Sequence, residues 1–217
     1  MTGYVRFMPT SWMILILAAF AGALPWLLQM GASDAPTLWW ASRAFGFVSY
    51  LALWLAMITG VLISAHGLGG WMDRKTLVEL HEQWTLAGVL ATVVHVLAVV
   101  SNEHAGIGII VAFVPFASER LTAAVGLGAI ALWVFALVAA SSWLRTRLPY
   151  LAWRAIHALA FGAFLLALAH SVASGTDSAA APARWLHVVS GSVLAGAIVV
   201  RLSLALGWKS AARPAVR

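Results

Sequence analysis

Apolar residues run through this chain in six long stretches, each about the length a helix needs to cross the hydrocarbon core of a bilayer. The pattern predicts spans from Trp12 to Met30, Trp39 to Ser64, Leu77 to Val100, Leu121 to Ser142, Tyr150 to Ala173 and Trp185 to Leu206. Pro25 falls inside the first span and is expected to kink it. That span is longer than the core of a usual signal peptide and only Arg6 precedes it, so it reads as a retained helix. The stretch Gly106 to Ser118 is apolar but short, holds Pro115 and leads into Glu119 and Arg120. It predicts an external re-entrant or interfacial segment, not a seventh span. The expected fold is all-α: one polytopic transmembrane domain over residues 1–217, with six helices in a bundle.

Composition narrows the class. Hydrophobic residues make up 63% of the 217 positions and charged ones 9%, against about 25% charged in soluble domains. Cysteine is absent. That excludes disulfides, iron–sulfur clusters, Cys-ligated zinc and covalently attached haem. The net charge of +6 suggests nucleic acid only until the positions of the charges are considered. Alternate loops and the two ends hold Arg6, Arg74, Lys75, Arg145, Arg147, Arg154, Lys209, Arg213 and Arg217. The opposite set holds Arg43, Arg120 and Arg184. The bias places both termini in the cytoplasm, with lipid and not nucleic acid as the partner. Trp residues at span ends, such as Trp39, Trp143 and Trp185, suit interfacial anchors or plain packing.

Four histidines change the picture. His81 and His95 lie 14 residues apart in the third span, and His157 and His170 lie 13 apart in the fifth. In the predicted topology both spans run outward. His81 then shares the cytoplasmic depth with His157, and His95 the external depth with His170. A rise of about 1.5 Å per residue separates the two levels by roughly 20 Å. A histidine within a membrane is costly unless it is used. Two facing pairs at two depths suit the axial ligands of two stacked haems b, six-coordinate and built for electron transfer. A separation of 13 leaves an angular offset of over a quarter turn on a straight helix. A bulge, a bend near Gly162 or rotated haems are the expected remedies.

Other readings stand beside this one. A single membrane histidine is often a packing residue. A zinc site needs ligands converging on one point, which this spacing forbids. A proton relay normally includes intramembrane Asp or Glu, and the deep parts of these spans have none. Haem propionates would call for basic groups nearby. Arg43 is the candidate at the outer level, and Arg201 and Arg154 at the inner one. Arg154 equally suits a topology charge, and Arg201 a snorkelling side chain. His66 and His104 read as solvated loop residues, and His187 as an interfacial one. Gly46, Gly60, Gly88, Gly126, Gly128, Gly162 and Gly196 read as small residues for close helix approach.

The segments Ser42-Arg43-Ala44-Phe45-Gly46, Leu80-His81, Val94-His95-Val96 and Val114-Pro115-Phe116-Ala117-Ser118 carry a resemblance, as do Trp153-Arg154-Ala155-Ile156-His157, Ala169-His170-Ser171 and Gly175-Thr176-Asp177. Together, over about residues 39–178, they resemble bacterial members of the ferric reductase-like transmembrane domain superfamily. That group includes NADPH oxidases, eukaryotic ferric reductases and the haem-binding membrane subunit of the bacterial methionine sulfoxide reductase system. The resemblance implies electron transfer across a bacterial inner membrane through two haems b, held by His81 with His157 and by His95 with His170. The oxidases and ferric reductases continue into a flavin and nicotinamide domain, whereas this chain stops soon after the sixth span. Its expected electron source is therefore a separate protein, a quinone or a bound flavin. Val99 stands where the oxidases tend to carry another histidine, which disfavours a superoxide-producing role. The alternatives are a haem-bearing anchor subunit of a periplasmic reductase and a haem-free histidine transporter.

Overall fold

The computed structural model describes residues 37–64, 72–175 and 177–211. The first predicted span, with Pro25, and His66 lie outside the described residues. Those residues form six α-helices and no strand: α1 (Thr37–Ser64), α2 (Arg74–Val100), α3 (Ile109–Phe113), α4 (Thr122–Trp143), α5 (Tyr150–Ser174) and α6 (Ala181–Ala211). Five of them, all but α3, are long and apolar enough to cross a membrane. They match the second to sixth predicted spans, and α6 is longer than its apolar core implied. This is the architecture of a multi-pass protein in a lipid bilayer.

Two antiparallel hairpins, α1–α2 and α4–α5, make the framework, and α6 packs along α1. The first hairpin is tight because its contact face is built from small residues. Ala41, Ala91 and Ala98 are buried with Phe45 between α1 and α2. Gly88 lets Leu53 approach so closely that a Cβ there would lie 2.7 Å from the leucine side chain. Small residues at such a seam let dispersion contacts form where lipid offers no hydrophobic drive. Hydrogen bonds add to it: Ser49 Oγ lies 2.5 Å from Thr92 Oγ1, and Thr92 donates to the Gly88 carbonyl at 2.7 Å. Asp73 starts α2 as its N-cap, accepting from the Thr76 N–H at 2.9 Å and the Thr76 hydroxyl at 2.7 Å.

A second cluster joins α1 to α5 and α6 through Tyr50, Met57, Phe164 and Leu194. Tyr50 Oη meets Ser190 Oγ at 2.5 Å, and Trp54 donates to the Ser190 carbonyl at 2.9 Å. Large apolar side chains such as Leu97, Trp133, Leu165 and Val199 face outward, as a lipid-exposed surface requires. The segment between α2 and α4 holds a 3₁₀ turn (Glu103–Ala105), which includes His104, and the five-residue α3. That helix is far too short to span. It is pinned to α4 by Trp133, whose indole donates to the Phe113 carbonyl at 2.7 Å.

Candidate functional site

The four histidines meet in the two pairs that the topology argument expects. The ring centroids of His81 and His157 are 6.0 Å apart, and those of His95 and His170 are 6.4 Å apart. No extensive packing joins α2 to α5, so the two hairpins meet through α1, and the paired rings face one another across a gap between α2 and α5. Two imidazoles on opposite sides of one metal ion, each with a metal–nitrogen bond of about 2 Å, hold their centroids about 6.3 Å apart. Both pairs lie at that spacing. Among the described residues no three His, Asp or Glu side chains gather into a metal-binding group.

The ring orientations are set from behind. His81 Nδ1 donates to the Ala56 carbonyl at 2.8 Å, and His95 Nδ1 to the Ser42 carbonyl at 2.7 Å. On the other hairpin His170 Nδ1 donates to the Ala124 carbonyl at 2.7 Å. A carbonyl only accepts, so the proton of each of these rings is on Nδ1 and the lone pair is on Nε2. That is the tautomer of a metal-ligating imidazole, oriented by its outer hydrogen bond. Ser174 Oγ lies 3.5 Å from His170 Nε2, too far for a strong competing bond.

Three glycines make these contacts possible. A Cβ at Gly46 would lie 3.1 Å from His95 Nδ1, one at Gly60 3.3 Å from a carbon of the His81 ring, and one at Gly128 2.6 Å from His170 Nδ1. These glycines receive histidine rings; their role is not the general helix packing the sequence suggested. Gly88 and Gly126 do serve close approach, to Leu53 and to the Phe116 ring, whereas nothing lies within 4 Å of a Cβ at Gly162 or Gly196.

His157 differs from the others. Its Nδ1 lies 3.2 Å from the Ser142 hydroxyl, and its ring stacks on Trp153 at 5.2 Å. α5 is α-helical throughout Tyr150–Ser174, so no bulge absorbs the 13-residue spacing. The Trp153 indole N–H is buried and has no acceptor among the described residues.

The arginines divide. Arg43, next to the Ser42 carbonyl that holds His95, makes a two-pronged ion pair with Asp177: Nε donates at 2.6 Å and Nη2 also donates. Its guanidinium lies 4.5 Å from the Trp40 ring centroid. Arg154 is exposed and reaches Tyr150 Oη at 3.3 Å. Arg201 is half-buried on α6. His187, expected at an interface, is instead only 7% exposed. Its Nε2 meets Ser171 Oγ at 2.9 Å, and the Tyr50 ring is edge-on to it at 5.4 Å. Sequence reasoning missed the carbonyls, Ser142, Trp153 and the Asp177 partner. One signal was present: Gly46 and Gly60 repeat the 14-residue interval of His81 and His95.

Searches of curated proteins and of solved structures find no match. A family model described as a domain of unknown function, DUF8596, matches residues 37–177. That match takes in both hairpins and all four paired histidines, and the chain belongs to this family.

Proposed function

We propose that this protein carries electrons across a bacterial inner membrane through two bis-histidine haems b. His81 and His157 hold the inner one, and His95 and His170 the outer one. The observation that carries this reading is the spacing of the two ring pairs, 6.0 and 6.4 Å, together with Nδ1 protons directed to backbone carbonyls. A haem held by these residues would supply a one-electron couple. The protein's own residues orient the imidazoles, exclude water with apolar helices and provide donors at the edges. The buried Trp153 N–H costs free energy without an acceptor, and a carboxylate oxygen of a bound group is an acceptor of the right kind. Arg43 is already paired with Asp177, so at the outer level it serves a carboxylate only by sharing its donors.

The same reading takes the chain as a ferric reductase-like domain with six spans and both termini in the cytoplasm. Electrons enter from a cytoplasmic-side or membrane donor, such as a separate protein, a quinol or a bound flavin, and leave to an external acceptor. The test is spectroscopic. Protein purified after haem-replete expression should show a reduced b-type spectrum and about two haems per chain, the number four axial ligands imply. Protein that stays colourless under those conditions overturns the proposal.

A further inference from the structure

Three of the four histidines are held in one repeated way. The accepting carbonyl belongs to the residue four positions before the glycine under the ring: Ser42 before Gly46, Ala56 before Gly60, Ala124 before Gly128. The physical reason lies in helix geometry. Each Cα–Cβ bond tilts toward the helix N-terminus, so the Cβ of residue i+4 hangs over the carbonyl of residue i. A glycine there uncovers the carbonyl for a second donor.

On α1 the repeat interval is 14 residues, from Gly46 to Gly60. The same interval on α4 runs from Gly128 to Ser142, and the matching carbonyl is that of Val138. Here the Cβ is present. The Val138 carbonyl instead accepts the Ser141 hydroxyl at 2.9 Å, and His157 Nδ1 turns to Ser142 Oγ at 3.2 Å. A hydroxyl at that distance is a weaker acceptor than a helix carbonyl at 2.7 Å. A hydroxyl also both donates and accepts, so it does not lock the His157 tautomer as a carbonyl does.

From this broken repeat we infer that Ser142 is a positioning residue that tunes the His81–His157 site. It leaves His157 a less basic ligand than the other three and so makes the site easier to reduce than four carbonyl-held imidazoles would. The outer hydrogen bond on a ligating imidazole sets how strongly the ring donates to the metal. A weaker donor stabilises the oxidised ion less. This inference rests on the haem reading above and adds to it a source of difference between the two levels.

Two substitutions push in opposite directions. Ser142→Gly uncovers the Val138 carbonyl and should lower the midpoint potential of the inner site. Ser142→Ala removes the acceptor altogether and should raise it. Potentiometric titration in lipid nanodiscs measures both, and a His95→Leu background leaves only the inner step to follow. The expected change is about tenfold in the oxidised-to-reduced ratio at fixed potential, or about 59 mV for one electron. In the background that keeps all four histidines, the outer step should not move. Equal potentials in all three forms, shifts of the same sign, or a shift confined to the outer step would overturn the role of Ser142 while haem content stays normal. Absence of haem from the unsubstituted protein would instead overturn the reading on which it rests.

Discussion

The two hairpins carry the same kind of histidine pair on different kinds of support. The α1–α2 hairpin is clamped by Ala41, Ala91 and Gly88 and tied by Ser49 and Thr92. Both of its histidines reach carbonyls. In the α4–α5 hairpin α4 buries Ala124, Val125, Ala129 and Val138 among others, whereas α5 buries Ala163 and Phe164 alone. One of its histidines reaches a carbonyl and the other a side chain. The comparison teaches that the hold on each ring follows the helix behind it, not the helix that bears it. α1, in contact with α2, α5 and α6, acts as the central post. The second hairpin hangs on it through Tyr50 and Phe164, whose rings lie 5.3 Å apart.

Substitutions at the glycines test the comparison most strongly. Gly128→Ala places a methyl 2.6 Å from His170 Nδ1, which the ring must yield to. On the proposed haem reading, the expected loss is about 10–100-fold in haem affinity at the His95–His170 pair. Gly46→Ala, at 3.1 Å on the same pair, should cost clearly less, and Gly162→Ala should cost nothing in haem content. Haem retention during gel filtration ranks the three. Equal losses at Gly128 and Gly162 would show that the carbonyl cradle is not what holds the ring.

A smaller effect is expected between the levels. Gly88→Ala drives a methyl to within 2.7 Å of Leu53, and overpacking of this kind costs about 1–3 kcal/mol. Thermal unfolding in detergent should register it, with the spectrum of the folded fraction unchanged. If the substitution leaves the unfolding temperature unmoved, the first hairpin is not the rigid one.

The smallest effect lies at the start of α2. Hydrogen bonds from the Thr76 N–H and hydroxyl hold the Asp73 carboxyl below its ordinary value of 3.8. A lowered folded-state pKa gives stability that is complete above the ordinary value and fades as the pH falls through the lowered one. Asp73→Asn should keep part of the cap and flatten that acid limb of stability. An acid limb of unchanged steepness would mean that other carboxylates govern it.

Much of this was legible in the chain itself. The spans were visible because a bilayer demands about 20 apolar residues per helix, and five of them coincide with α1, α2, α4, α5 and α6. The pairing His81–His157 and His95–His170 followed from depth alone. Depth is counted along the helix axis, where each residue adds a fixed rise. What faces each ring was not legible, because facing depends on the rotation and approach of a neighbouring helix. Hence Gly46, Gly60 and Gly128 passed for ordinary packing glycines. Arg43 was assigned without Asp177, which lies 134 positions away. His187 was placed at a membrane interface, though it is buried against Ser171 and Tyr50.

By itself, then, the order of residues determined the helices, their apolar character and the heights of four imidazoles, since these depend on local composition and a constant rise per residue. Tertiary structure decided which carbonyl or hydroxyl holds each ring. That choice rests on contacts between helices brought together from distant parts of the chain, where a single missing or present Cβ changes the partner.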